Sequence, residues 1–292
     1  MFHLRSLLLL RKKVQNYPFV IFSLLFRKGE IKVKKRSGEF SIIHDRHELW
    51  YLLLGYEYHS KEGMLTIKTN FNERVLNLRG VVKDGDVDGI FLKEEYSFLN
   101  VKDKMVVDIG ANIGDSTIFF LLKGAKEVIS IEPNAQCCRF ISENLRLNGF
   151  SERVIILNQG ISNKDETVKV AQKIGEARSS SLKRKHGGQS LQLISINTLV
   201  NSYNIKSAVL KVDCEGCEYE LFVQKFKEPL LNFSQIQIEY HYGPMKIVNF
   251  LIDIGFSVKW TKPIFYFNKY SRKKIMRVGY IYASKIYAKD PP

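Results

Sequence analysis

Carboxylates, a lysine and a histidine recur at even spacing in two short stretches of this 292-residue chain. In Leu210-Lys211-Val212-Asp213-Cys214-Glu215-Gly216-Cys217-Glu218, Lys211 and Asp213 stand two apart, and Gln235, Gln237, Glu239 and His241 do the same in the second stretch. Alternate side chains of an extended chain share a face, so each stretch reads as a strand with one polar face. A central parallel strand is usually apolar on both faces, which makes these polar positions informative. On neighbouring strands they would merge into one cluster near the carboxyl ends, where open α/β sheets bind ligands. Buried charges need partners, and Lys211 is expected to pair with Asp213 or Glu239. Asp213, Glu215 or His241 would serve as a general base, removing a proton from a hydroxyl. The donors of Asp213, Glu215, Glu239 and His241 also suit a divalent ion, but their spacing alone does not demand a metal and none is predicted. A purely structural ion-pair network is the alternative.

A third stretch, Val106-Val107-Asp108-Ile109-Gly110-Ala111-Asn112-Ile113-Gly114-Asp115-Ser116-Thr117, reads as strand, tight loop and helix. Gly110 and Gly114 allow positive φ and close approach of a ligand to backbone, at a helix start that offers unpaired N–H groups. A dinucleotide fingerprint would want glycine at 112 and 115, where this chain has Asn112 and Asp115. The missing glycine normally admits a pyrophosphate, and Asp108 and Asp115 would repel one while favouring a cation. Eighteen residues past Gly114, Glu132 ends the run 128–131, placed to accept hydrogen bonds from both hydroxyls of a ribose. Its alternative is an acid at a helix N-terminus ahead of Pro133. A ribose, no phosphate and a cationic end together describe S-adenosylmethionine. Asp108 would bond its amino group directly or through water, Asn112 would lie beside its methionine part, and Gln159 and Gly160 would line its adenine.

Asp108-Ile109-Gly110-Ala111-Asn112-Ile113-Gly114-Asp115, Glu132-Pro133, Asn144-Leu145-Arg146-Leu147-Asn148 and Lys211-Val212-Asp213-x-Glu215-Gly216-x-Glu218 resemble the FkbM family of S-adenosylmethionine-dependent methyltransferases. Phe91-x-Lys93-Glu94-Glu95-Tyr96 and Glu239-x-His241 are similar to that family too, so the resemblance spans about 85 to 242. It implies a class I methyltransferase (Rossmann-like) fold and transfer to hydroxyl groups of carbohydrates, lipids or secondary metabolites.

The elements that must position these residues are legible from about residue 85. Apolar runs at 105–109, 128–131, 154–157, 208–212 and 235–240 alternate with helical segments at 116–123, 135–147 and 244–254. Such alternation implies a parallel sheet with helices on both faces. The runs 256–260 and 278–284 have no helix between them and read as an antiparallel hairpin, for a seven-stranded, mostly parallel α/β sheet. The linker 174–189 reads as a loop long enough to fold over a ligand. Residues 1–84 read as a small α+β lead-in: helices in 1–28, a hairpin from 30–35 and 39–43, a buried helix over 48–58, and strands at 64–68 and 75–78.

The formal charge of +15 lies at the ends: residues 1–40 hold ten Lys/Arg against two Glu, and residues 257–292 hold nine against one Asp. That asymmetry fits an anionic membrane surface or polyanionic glycan, or solubility alone. RNA-module signatures are missing, which disfavours nucleic acid as partner. No apolar run reaches the roughly 18–20 residues of a membrane span. Four cysteines, Cys137, Cys138, Cys214 and Cys217, do not resemble a secreted disulfide framework; small packing thiols in a cytoplasmic setting are expected. A nicotinamide-dependent oxidoreductase, or a non-catalytic binding protein on the same fold, are the competing functions.

Overall fold

A computed structural model describes the chain except residues 1–3, 27–28, 60–62, 72, 82–86, 172–182, 185–187, 268–274 and 286–292. It divides into two compact units, Met1–Val82 and Lys83–Pro292. No described helix is long and apolar enough to cross a membrane.

In the first unit, helices Leu4–Lys13 and Tyr17–Phe26 precede a hairpin of β1 (Ile31–Lys34) and β2 (Phe40–Ile43). A third helix, Arg46–Leu54, is shorter than the sequence suggests. Asp45 caps its start by accepting from His47 and Glu48 N–H, and Gly55, at φ 86°, ends it in the left-handed region. Residues 57–58, read as helical, instead belong to β3 (Glu57–His59), which pairs with β4 (Met64–Lys68), itself paired with β5 (Val75–Arg79). Leu10, Val14, Val20, Val33, Leu49 and Leu53 make this unit's buried cluster.

The second unit is built on β6 (Met105–Ile109), β7 (Glu127–Ile131), β8 (Val154–Leu157), β13 (Ala208–Val212), β14 (Phe233–Tyr240), β15 (Phe256–Trp260) and β17 (Ile275–Lys285). Their order across the sheet is β8-β7-β6-β13-β14-β17-β15, with β17 antiparallel to both its neighbours and all other pairs parallel. Seven strands and an antiparallel end are therefore as expected, with one addition: β16 (Ile264–Phe267) pairs with the start of β17. The chain moves outward from β6 through β7 to β8, then returns to the other side of β6 at β13. That reversal opens a crevice between the carboxyl ends of β6 and β13. Val107, Ile109, Ile129, Leu210, Val212, Ile236 and Ile238 fill the core on this sheet.

Between β8 and β13 the sequence showed little periodicity, yet the structure holds a small sheet there. β9 (Gly160–Ser162) pairs in parallel with β12 (Gln189–Ser195), which pairs antiparallel with β10 (Glu166–Ala171). Most of the expected ligand-covering loop, 174–189, lies outside the described residues; of the rest, Lys183–Arg184 forms β11, paired with β10.

Candidate active site

The loop after β6 is shaped by backbone proximity. Gly110 and Gly114 take φ of 77° and 87°, and Asn112 takes 50°. A Cβ on Gly110 would lie 1.7 Å from the Asp213 carbonyl oxygen, so the loops after β6 and β13 touch through main chain. Only glycine satisfies both the conformation and the contact. At Gly114 a Cβ would press on Ile141, at 3.2 Å, in the helix Ala135–Asn148. Asn144 of that helix donates to the Ile113 carbonyl at 2.8 Å, and Asn148 donates to the Asn144 carbonyl. The paired asparagines of the 144–148 motif thus hold the loop from below.

Asp108 anchors the loop from within the sheet. It is fully buried, and Ser116 and Thr117 hydroxyls donate to its Oδ2 at 2.7 and 2.8 Å. Thr117 has spent its proton on Asp108, so Ser130 donates to Thr117 in turn. The other oxygen, Oδ1, lies 3.1 Å from Lys211 Nζ, an ion pair lacking the alignment of a hydrogen bond. Asp108 fixes the loop and helix start through Oδ2, while Oδ1 accepts no hydrogen bond. Asp115 is likewise buried, with Oδ1 accepting from Ser116 N–H.

Lys211 faces Asp108, its register neighbour across β6 and β13, rather than Asp213 or Glu239. It also donates to the Gly110 carbonyl at 2.8 Å. Burial pulls its pKa down, but Asp108 and Asp213 outweigh that and leave it above the ordinary lysine value. At 2% exposure it positions the loop and does not meet solvent.

Glu132 stands at the end of β7, one strand over. Its Oε2 accepts from Asn112 N–H at 3.1 Å and its Oε1 from Asn134 N–H at 2.8 Å. Each oxygen keeps one further lone-pair direction, the number a ribose diol needs. Burial pushes this carboxyl up to about 8, against the pull of the two N–H groups. Asn158, which sequence reasoning passed over, donates to the Glu132 and Pro133 carbonyls. Gln159 donates to the Gln192 side chain, and Gly160 starts β9 buried against Leu193. Gly160 is thus buried at the start of a small sheet.

Across the crevice, Asp213, Glu239 and His241 converge, each offering one donor atom within 4.8 Å of the others. Asp213 extends β13, its N–H bonded to the Ile109 carbonyl. Glu239 and His241 lie two apart at the end of β14, as their alternation implies. His241 Nε2 is 3.9 Å from Asp213 Oδ1 and 3.8 Å from Glu215 Oε2. Its Nδ1 is 3.0 Å from Glu218 Oε1, which also accepts the His241 backbone N–H. Glu218, fully buried, was quoted from the sequence but not read as a site residue. Its signal was a second glutamate three residues after Glu215, across a glycine turn. Burial lowers the imidazole pKa, but the bond to Glu218 and the charge of Asp213 more than reverse this and bring it to about 9. Burial, then Asp213, raises Glu239 to about 8. Glu95 stands behind it, holding the Tyr280 hydroxyl and accepting Gln237 at its carbonyl.

Cys214 and Cys217 pack on the core as expected, but they are joined in a disulfide, with Cα atoms 5.5 Å apart, and are not separate thiols. The bond closes the turn in which Glu215 takes φ 57° and Gly216 φ 125°. Two cysteines at the ends of a four-residue turn, with sulfurs facing each other, meet disulfide geometry; only the folded turn reveals this. The Cys137 thiol faces Asn112 Oδ1 and the Cys138 thiol faces the Glu132 carbonyl.

Comparisons with known proteins identify the family. The family described as methyltransferase FkbM domain matches residues 108–259, more than half of the chain. A protein of Sulfolobus islandicus rod-shaped virus 1, uncharacterized protein 158B, is 30% identical over 136 residues, which are 46% of this chain and 62% of that protein. The chain thus spans less than two thirds of that relative. Among solved structures, precorrin-6y C5,15-methyltransferase from Geobacter metallireducens GS-15 aligns with 14% identity and a TM-score of 0.40, covering 70% of this chain and 94% of its own. TYW2 of M. jannaschii, solved in complex with AdoMet, aligns with 16% identity and a TM-score of 0.41, covering 77% and 87%. The loop after β6, the acid ending β7, the carboxylate and imidazole donors after β13 and β14, and the family match together place this chain in the FkbM methyltransferase family.

Proposed function

We propose that this chain transfers a methyl group from S-adenosylmethionine to a hydroxyl oxygen of a carbohydrate, lipid or secondary metabolite. The observation that carries this reading is the apposition, at one switch point, of a phosphate-excluding glycine loop with Glu132 on one side and a proton-accepting cluster on the other. The donor set fits the cofactor: Glu132 has acceptor capacity for two ribose hydroxyls, and Lys211, the basic side chain at the loop, is buried and engaged by the Gly110 carbonyl and Asp108 rather than offered to a pyrophosphate. When bound, S-adenosylmethionine supplies an electrophilic methyl carbon on a sulfonium.

The chain's own residues do the rest. Lys211 and Asp108 hold the Gly110 loop rigid, so the bound nucleoside is aligned without reorganisation. Glu215, at 38% exposure, stands where an acceptor enters and takes the hydroxyl proton as the oxygen–carbon bond forms and the sulfur–carbon bond breaks. Glu218 fixes His241 beneath it.

Calorimetry with S-adenosylmethionine and transfer of a labelled methyl group to a panel of hydroxylated acceptors test this. Wild type should bind the cofactor and Glu132→Ala should bind it at least tenfold more weakly. Absence of binding by wild type would sink the reading, and transfer to nitrogen or carbon in place of oxygen would correct the acceptor.

The first unit supports a second element of the proposal, docking on an anionic lipid surface. Phe19, Phe22, Leu25 and Phe26 of the helix Tyr17–Phe26 are 43–72% exposed, and Leu8 is 61% exposed on the preceding helix with Arg11 and Lys12. Apolar rings flanked by basic residues partition into charged interfaces. Co-sedimentation with phosphatidylglycerol vesicles, reduced by Phe22→Ser/Phe26→Ser, is the expected result; equal recovery with neutral vesicles would leave the charge without a part.

A further inference from the structure

We propose that Asp213, Glu239 and His241 form a divalent-cation site, for an ion such as Mn2+ or Mg2+, that receives the acceptor's oxygen atoms. The role for the acceptor rests on the methyl-transfer reading above; the metal site itself does not.

Three features point to an ion. First, one oxygen from each carboxylate and a ring nitrogen already lie within 4.8 Å of one another, and among the described residues this is the one group of three or more such side chains that meets that distance. An octahedral ion with ligands at about 2.1 Å sets neighbouring donors about 3 Å apart, so small side-chain rotations close the site. Second, His241 is aimed. It is 3% exposed, and its Nδ1 is engaged by Glu218, which is itself fully buried and also accepts the Gly216 and His241 N–H groups. Nε2 is left pointing at Asp213 and Glu215 from 3.9 and 3.8 Å, beyond hydrogen-bond distance. A carboxylate behind one imidazole nitrogen, with the other nitrogen open, is how proteins present histidine to a metal. Third, the cluster has no lysine or arginine of its own among the described residues. Lys211, the nearest buried cation in sequence, is committed to Asp108 and Gly110. Among the described residues no lysine or arginine pairs with Asp213 or Glu239, although Glu95 adds a further carboxylate nearby.

Two carboxylates and one imidazole suit a hard or borderline ion with half of its positions left open. Two adjacent hydroxyl oxygens on one acceptor would fill neighbouring open positions, which favours a vicinal diol, such as a sugar ring presents, over an isolated alcohol. Coordination lowers the hydroxyl pKa, so Glu215 takes its proton at neutral pH.

The test is a Mn2+ titration of the chelator-washed full chain, followed by electron paramagnetic resonance, alongside S-adenosylmethionine calorimetry on the same samples. Wild type should bind one ion. Glu218→Gln should weaken binding 10- to 100-fold, and Asp213→Asn/Glu239→Gln should abolish it. Circular dichroism checks that each variant folds, and single Glu239→Gln serves should the double variant not. No saturable Mn2+ binding by wild type, or unchanged binding in the folded carboxylate variants, overturns the site. Cofactor binding without Mn2+ binding refutes the metal alone, whereas Mn2+ binding without cofactor binding keeps the metal and removes the methyl-transfer reading.

Discussion

Replacing Lys211 by methionine probes the part of the molecule that joins the fold to its cofactor loop. The side chain is 2% exposed and methionine fills much the same volume, so packing loss is small and electrostatics decides. Asp108 would keep its two hydroxyl donors on Oδ2, but Oδ1 would lose the one cation beside it, at 3.1 Å. The Gly110 carbonyl would lose a 2.8 Å bond as well. Removing one partner of a buried pair costs about 3–5 kcal/mol, because the other charge stays buried. For a unit of this size each kcal/mol lowers Tm by about 2–4 °C, giving a drop of about 6–20 °C. Urea unfolding followed by Trp260 fluorescence in a Trp50→Phe background reports on the larger unit, since the chain has these two tryptophans. Lys211→Met/Asp108→Asn removes both charges and should be at least about 2 kcal/mol more stable than the sum of the single effects. A loss below about 1 kcal/mol for Lys211→Met, or strict additivity, would refute the account of this pair as the anchor of the loop.

Gly110→Ala, with its Cβ 1.7 Å from a carbonyl oxygen, should lose more than about 2 kcal/mol and cofactor binding, whereas Gly255→Ala, at φ 95° with open space around it, should lose only about 1 kcal/mol from backbone strain, both read by urea unfolding. Burial raises the Glu132 carboxyl to about 8, so the folded chain keeps a proton that the unfolded chain releases near its ordinary value. That contribution is complete below the unfolded pKa and is lost as pH rises toward 8; relative to Glu132→Gln, wild type should lose about 1.4 kcal/mol per pH unit across that window, and parallel stability curves would contradict it. Reducing Cys214–Cys217 should cost about 2 kcal/mol, as for a short closed loop, and alkylation of unreduced protein unfolded in urea, read by mass spectrometry, should find two thiols rather than four.

Local pattern carried the strands and helices around β6, β7, β13 and β14, because an apolar run with period two and a glycine-bracketed loop are short-range facts. It misplaced the end of the helix Arg46–Leu54, where the left-handed Gly55 outweighed the helical leucine and tyrosine content around it. It also missed the sheet of β9, β10 and β12, whose exposed faces carry polar residues that dilute the period.

The candidate site divides the same way. That Lys211 and Asp213 share a face, and that Glu239 and His241 do, follows from the pleat alone. Which charge answers Lys211 does not, because Asp108 is 103 residues away and meets it only through the register of β13 on β6. The same holds for Glu218 and His241, 23 residues apart and joined by two bonds, and for the disulfide of Cys214 and Cys217, set by how a four-residue turn folds. Sequence alone determined the residue types and the loop's need for glycine, since those obey local sterics and spacing. Tertiary structure decided who partners whom, because a buried charge is satisfied by whatever the neighbouring strand brings beside it. That is how Asp108 came to be a buried anchor of the loop, and how His241 came to face two carboxylates with an open nitrogen.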